Sequence, residues 1–325
     1  MLAYSVIIPV YNRPQELDEL LDCLVKQKFK DFEVIVIEDG SEISSEKVVN
    51  SYQTQLPISY YVKENGGQGF ARNYAFERAK GNFFIILDSD ALIESDYLLE
   101  VDHGIKEANL DLFGGPDKDH PSFSPIQKAI SFSLTSFFTT GGIRGKAKNI
   151  GGQFHPRSFN MGISRKVWET THGFKITRMG EDIEFSIRCI SLGFTSGLIP
   201  KAFIYHKRRT SFSQFYKQLH FFGRARINIS RFYPKELKLV HYFPLAYFLF
   251  FWNTLFLNIL DVNLGMYFSG ILALYWILLL IDGIVTTKNI QVTCLGLVAA
   301  NIQLLAYGKG FLEEGLLKIT SKDPS

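Results

Sequence analysis

The sequence predicts an α/β domain on a mainly parallel central sheet, followed by apolar helices that cross a membrane. Three observations predict it. Short β-branched runs alternate with stretches of helical periodicity through the first two thirds of the chain, and polar clusters sit just past several of those runs. In the last third, three segments carry no Asp, Glu, Lys or Arg. A length of 325 residues suits about two domains, and a composition 46% hydrophobic and 14% aromatic supplies a large core. The net charge of +3 gives no reason to expect a polyanionic partner, so nucleic acid is not among the expected partners. Cys23, Cys189 and Cys294 are far apart without metal-type spacing and read as reduced packing residues.

In chain order, Ser5 to Val10 is a strand-like run ending at Pro9-Val10-Tyr11-Asn12, after which Leu17, Leu20, Leu21 and Leu24 repeat at helical spacing. Phe32 to Ile37 is a second strand, closed by Glu38-Asp39-Gly40-Ser41 and followed by a helix near Ser45 to Tyr52. Ile58 to Val62 is a third, and Asn65-Gly66-Gly67-Gln68-Gly69 then opens a helix through Phe70, Ala71, Tyr74 and Ala75. Phe83 to Leu87, five apolar residues, reads as a strand buried on both faces that stops at Asp88-Ser89-Asp90. Ligands of open α/β sheets bind beyond the carboxyl ends of strands, and two acids held there can share a hard divalent cation. An isolated D-x-D does as well as a turn and helix cap.

Beyond Asp111 the periodicity loosens. Leu112 to Gly115 reads as a short strand, Ile126 to Phe138 as a helix, and Gly141 to Gly152 as a glycine-and-lysine loop expected to be a lid. Phe159 to Ser164 is a further strand, Glu181 to Leu192 a helix entered by two acids, and Phe203 to Tyr205 a last strand before His206-Lys207-Arg208-Arg209. From Lys201 to Lys238 there are ten Lys and Arg against one acid, Glu236, interleaved with Phe212, Phe215, Tyr216 and Leu219. That pattern predicts a basic amphipathic helix, about 211–232, on an anionic lipid surface, with membrane lipids as partners.

The charge-free segments are about 239–260, 262–281 and 289–308, each long enough for about 30 Å of hydrocarbon. The third carries Gln291, Asn301 and Gln303, so two or three transmembrane helices are expected. The basic stretch before the first span sits on the cytosolic side, and the loop Asp261 to Gly265, without Lys or Arg, on the other. MLAYSVIIPVYN has neither the basic region nor the apolar length of a secretion signal. The division is therefore 1–232, a cytosolic domain, and 233–325, a membrane region, at a multi-pass position in the inner, cytoplasmic membrane of the cell.

VIIPVYN, Glu38-Asp39-Gly40-Ser41, NGGQGFARNYA from Asn65, Asp88-Ser89-Asp90 and Gly180-Glu181-Asp182 occur in one order and at one approximate spacing. Together they resemble the motifs of family 2 glycosyltransferases of the GT-A fold, membrane-anchored bacterial type, over about residues 4–230. The resemblance implies a nucleotide-diphospho-sugar donor and an Mn2+ or Mg2+ cofactor. In it Asp39 accepts a hydrogen bond from the base N–H, and Pro9, Tyr11 and Asn12 line the nucleotide cleft. Arg72, at a helix start near the glycines, faces ribose or phosphate or else lies at the surface, Asp88 lies on the ribose or on metal-bound water, and Asp90 ligates the metal. His206 matches a position where some members have a third ligand. Asp182 is the general base toward the acceptor hydroxyl, Glu181 is on the acceptor side, and transfer inverts the anomeric centre. The Q-x-x-R-W signature of processive members is absent, Gln218 to Arg224 being the nearest stretch, so the implied reaction is single-sugar transfer to a lipid-linked or membrane-near glycan acceptor. Two alternatives stay open: a sugar-phosphate nucleotidyltransferase, although Tyr11-Asn12-Arg13-Pro14 lacks its glycine-rich activating loop, and a non-catalytic membrane scaffold on the same fold.

Overall fold

Strand β1 (Tyr4–Val10) is paired in parallel with β2 (Phe32–Asp39) on one side and β4 (Phe83–Leu87) on the other, and β3 (Ile58–Lys63) adds beyond β2. Between these strands run α1 (Pro14–Val25), α2 (Glu46–Ser51) and α3 (Gln68–Phe76). Next come β5 (Ala91–Leu92), α4 (Tyr97–Ala108), β6 (Leu112–Gly114) and β7 (Asp117–Lys118), then helices α5 (Pro125–Thr135) and α6 (Phe137–Thr140). β8 (Asn160–Ser164), α7 (Arg165–Thr171), α8 (Glu181–Ser191), β9 (Ser196–Leu198) and β10 (Ile204–His206) follow. The last helices are α9 (Phe212–Phe232), α10 (Phe243–Ile259), α11 (Asn263–Thr287) and α12 (Ile290–Thr320). This computed structural model describes residues 2–118, 120–140, 154–176, 178–260 and 263–320. The stretch read as a lid, Gly141 to Gly152, lies outside the described residues, as does the side chain of His206.

The chain divides into two units, Met1–His120 with Ala147–Lys207 and Pro121–Lys146 with Arg208–Ser325. In the first, a seven-stranded sheet has the order β3-β2-β1-β4-β8-β6-β9 and is parallel except where β8 runs against β4 and β6. A small sheet, β5-β10-β7, accompanies it. Strand residues alternate between two cores. Val6, Ile8, Val34, Val36 and Ile85 pack with the α1 leucines, whereas Ile7, Ile35, Phe84 and Ile86 pack with Ala71, Ala75 and Phe76 of α3 and Phe185 of α8. This is why the strands read as unbroken apolar runs: both faces are covered, and each such side chain contributes about 1.5–3 kcal/mol by leaving water.

The strand order reverses between β1 and β4, which is where doubly wound sheets open a crevice. Pro9 sits at that opening. The β4 register covers β1 only from Tyr4 to Ile7, so the amide that Pro9 lacks falls past the last β4 pair and costs no ladder bond there.

In the second unit, α5 starts at a capping box in which Ser124 accepts the Gln127 amide and the Gln127 side chain accepts the Ser124 amide. Its Ile130 and Leu134 pack with Phe215 and Leu219 of α9 and Ala299 and Ala306 of α12. α9 and α12 approach closely at two glycines: a Cβ on Gly223 would meet the Tyr307 carbonyl at 2.1 Å, and one on Gly310 the His220 carbonyl at 2.1 Å. Leu239–Ile259, Asn263–Thr287 and Ile290–Thr320 are each long and apolar enough to cross a membrane. Their outward faces carry Leu249, Trp252, Phe256, Met266, Ile271 and Leu274, exposed as lipid-facing side chains are.

Helix α9, the basic amphipathic helix of the sequence, falls in this second unit, and several of its cations have protein partners. Glu314 of α12 accepts Arg224 at 3.0 Å and Arg231 at 2.9 Å, and Glu313 meets His220 at 2.6 Å. Glu314 lies 90 and 83 residues downstream of the two arginines it neutralises, so a local count of charge makes the helix look bare.

Candidate active site

The site is built at the carboxyl ends of β1, β2 and β4 and on the first turns of α3 and α8. β2 ends in Glu38 and Asp39, both buried. Asp39 Oδ1 accepts from Lys63 Nζ at 2.7 Å and the Gly66 amide at 3.0 Å, and Oδ2 accepts the Gly67 amide at 2.9 Å. A carboxylate has about four lone-pair positions, so Oδ2 keeps one for a further donor. Gly67 makes this loop possible: at φ +88° it turns the chain into α3, a conformation in which an L side chain is strained. Glu38 fixes the neighbouring loop, accepting from Ser41 Oγ, from the Ser45 amide at 2.7 Å and from the Tyr60 hydroxyl at 3.0 Å.

Asn12, itself at φ +55°, uses its side-chain oxygen for the amides of Glu42 at 2.8 Å and Ile43 at 3.0 Å. That oxygen ties the β1 end to the β2 end. Pro9 is half-buried beside it, and Tyr11 is 51% exposed, free to meet a ligand.

β4 delivers the paired acids. Asp88 opens a tight turn in which its carbonyl accepts the Ala91 amide at 3.0 Å, leaving its side chain 30% exposed, while the Asp90 side chain is only 8% exposed and is held by Arg13. His206 pairs through its backbone with Ala91, beside Asp90.

Arg72 was expected toward ribose or phosphate; its side chain lies wholly inside, donating to Asp88 at 3.0 Å and to Glu181 at 3.4 Å. Gln68, one turn earlier on α3, donates to the same Glu181 oxygen. Burial, reinforced by the neighbouring Asp182 charge, pushes the Glu181 carboxyl above the usual range, while Arg72 and Gln68 pull it down. Asp182 is more open: Arg157 Nε lies 3.4 Å from its Oδ2, and Oδ1 accepts the Ile183 amide at 2.8 Å. Glu181 and Asp182 thus part company within one helical turn, one locked inside and the other at the rim.

Direct contacts therefore join Arg72, Asp88 and Glu181 among the residues singled out from sequence; Pro9, Asp39 and His206 lie near the carboxyl ends of β1, β2 and β10, Tyr11, Asn12 and Asp90 in the turns after β1 and β4, and Asp182 on the first turn of α8. Arg13, Lys63, Gln68 and Arg157 were not singled out for these contacts. Lys63 had a signal: in parallel register it stands directly opposite Asp39. Arg157 had none, since it meets Asp182 only through tertiary folding.

Residues 5–168, half of the chain, match the family model described as glycosyl transferase family 2. The chain belongs to glycosyl transferase family 2. Among curated relatives of this family-2 chain, an uncharacterised glycosyltransferase of Rickettsia typhi is 39% identical over 105 residues, 32% of this chain and 31% of that one. The poly(ribitol-phosphate) beta-N-acetylglucosaminyltransferase TarS of Staphylococcus aureus is 35% identical over 116 residues, 34% of this chain and 20% of TarS. The chain thus spans a third or less of the length of these relatives. Among solved structures, the mannosyltransferase PcManGT of Pyrobaculum calidifontis, in complex with GDP-Man and Mn2+, aligns at TM-score 0.60 with 17% identity, covering 94% of this chain and 87% of its own. TarS 1-349 of S. aureus, in complex with UDP-GlcNAc, aligns at 0.51 with 19% identity, covering 97% and 92%. These likenesses establish the GT-A-like fold of this family-2 chain.

Proposed function

We propose that this protein is a metal-dependent inverting glycosyltransferase that moves one sugar from a nucleotide-diphospho-sugar to a lipid-linked or membrane-near glycan acceptor. The observation that carries the reading is the convergence at one sheet edge: Asp39, Asp88 and Asp90 close the strands there, and Arg72 links Asp88 to the helix turn that bears Asp182. On the donor side, Asp39 offers its remaining Oδ2 position to a base N–H, and Pro9 and Tyr11 border the same crevice, with Asn12 setting the loop that carries Tyr11. Arg72 serves the donor through Asp88.

The donor set also fits a divalent cation. Among the described residues no three His, Cys, Asp or Glu side chains cluster as a complete cage. Hard ions such as Mg2+ are commonly held by one or two carboxylates together with substrate phosphates. Asp90, with Asp88 beside it and His206 the expected third member, would hold Mn2+ or Mg2+; bound there, the ion supplies Lewis-acid neutralisation of the departing diphosphate. The solved neighbour PcManGT carries Mn2+ with its GDP-Man, in keeping with this.

Asp182 takes the proton of the acceptor hydroxyl as that oxygen attacks the sugar carbon. General-base assistance contributes on the order of a hundred- to ten-thousandfold. Attack opposite the diphosphate inverts the anomeric centre. Glu181 borders the acceptor side without reaching solvent. The helices of the second unit would keep the enzyme at the membrane where its acceptor lies, with the first unit in the cytosol.

The test uses membranes containing the full-length protein, incubated with UDP- and GDP-sugars plus Mn2+ or Mg2+, with release of nucleoside diphosphate as readout. Release that requires the ion and fails in Asp90→Ala and Asp182→Asn is expected. No release from any donor, or equal release without ion, sinks the corresponding part of the reading.

A further inference from the structure

The loop into α3 and the first two turns of that helix together touch three separate carboxylates of the site. The Gly66 and Gly67 amides, which lead into the helix, hold Asp39; Gln68 and Arg72, at i and i+4 on one face, hold Glu181; and Arg72 also holds Asp88. Arg72 is the largest fully buried side chain among the described residues, and its guanidinium lies 5.5 Å from the centre of the Phe174 ring. Removing a guanidinium and a carboxylate from water is costly, and apolar packing of the same volume commonly serves a core as well or better. A cation in this place therefore calls for a reason beyond stability.

That reason lies in what its two partners belong to. Asp88 ends the strand that presents the paired acids, and Glu181 precedes Asp182 on the first turn of α8. The planar fork of an arginine can serve two carboxylates at fixed angles, which a lysine cannot. We propose that Arg72 is a positioning residue, holding Asp88 and Glu181 in one ion triad that sets the distance between the donor-binding strand end and the Asp182 carboxylate. This rests on the assignment of Asp182 as base. Loss of the triad lets α8 and the β4 turn move independently, and a misplacement of about 1 Å at a reacting group costs on the order of a hundredfold in rate.

The test compares the full-length protein in membranes with Arg72→Met, Arg72→Lys, Glu181→Gln and the double variant Arg72→Met/Glu181→Gln. Nucleoside diphosphate release is measured with the best donor from the panel above and Mn2+. Arg72→Met is expected to lower kcat on the order of a hundredfold, a larger change than any rise in the donor KM. Arg72→Lys recovers part of the loss, and the double variant is no slower than Arg72→Met alone, because both changes break one unit. A wild-type kcat in Arg72→Met, or losses that simply multiply in the double variant, overturns the proposal. Should Arg72→Met fail to fold, the double variant, which leaves Glu181 uncharged, and Arg72→Lys carry the test: wild-type turnover in either overturns it. Asp182→Asn is run in parallel. Turnover retained there removes the base assignment itself, whereas a dead Asp182→Asn beside a fully active Arg72→Met removes only the positioning of Arg72.

Discussion

Asp39 Oδ2 accepts the Gly67 amide at 2.9 Å, so the carboxylate that ends β2 also shapes the entry to α3. Lys63 balances its charge from the next strand at 2.7 Å. Asp39→Asn removes that charge, leaves Lys63 half-buried without its partner, and replaces one acceptor oxygen by a donor facing amide hydrogens. Hydrogen bonds to charged groups are worth about 1.5–3 kcal/mol, so UDP or GDP affinity is expected to fall about ten- to a hundredfold. Calorimetric titration of both nucleotides in the presence of Mn2+ checks this, and unchanged affinity for both removes Asp39 from the base pocket.

The acids of β4 and α8 separate by experiment in a different way. Asp90→Ala takes out the proposed ion ligand, and nucleotide binding should then lose its dependence on Mn2+. Asp182→Asn keeps shape and should bind donor as wild type does while turnover falls at least on the order of a hundredfold. Isothermal titration of UDP and GDP with and without Mn2+, beside turnover on the same preparations, separates the two. Equal Mn2+-dependent binding in wild type and Asp90→Ala would falsify the placement of the ion.

Polar contacts inside the apolar helices carry a third expectation. Asn301 of α12 accepts from the Tyr247 hydroxyl of α10 and, at 3.0 Å, from Trp276 Nε1 of α11, so one amide joins all three helices. Asn301→Leu leaves both donors without that acceptor where water is scarce, though they remain 3.2 Å from each other. Interhelical hydrogen bonds in membranes measure about 0.6–2 kcal/mol, and a loss in that range is expected. Unfolding of the detergent-solubilised protein in increasing SDS, followed by tryptophan fluorescence, provides the number; stability at or above wild type rejects the clasp.

Much of the first unit is legible along the chain because its signals are local. The strand that presents Asp88 and Asp90 begins and ends at Phe83 and Leu87 as expected, since a run buried on both faces needs no partner to be recognised. The helix expected over Ile126 to Phe138 is Pro125–Thr135 instead, its start fixed by the Ser124 capping box and its end by the turn at Ser136. Individual acids were legible too, by type and spacing. What each acid touches was not. Arg72 looked surface-bound or ligand-facing because nothing near it in sequence reveals that Glu181 closes over it, and Arg13 gives no local sign of its pairing with Asp90. Pairings formed across the fold depend on register and helix placement, which a periodicity cannot encode.

The same blindness hid the partner of α9, and that pairing makes a sharp prediction. Glu314 is 5% exposed and receives both Arg224 and Arg231, the latter with a side chain 8% exposed. Glu314→Gln keeps the volume and some hydrogen bonding but takes the counter-charge from two arginines. Breaking a buried pair costs about 3–5 kcal/mol, and the neutral glutamine should recover only part of that. Glu313 supplies the control: it meets His220 and Lys309 at a side chain 44% exposed, where an ion pair is worth under about 1 kcal/mol. Thermal unfolding in detergent should therefore drop well below wild type for Glu314→Gln and stay near it for Glu313→Gln. Equal small shifts would mean that the close approach at Gly223 and Gly310, rather than the arginine–glutamate pairing, holds α9 against α12.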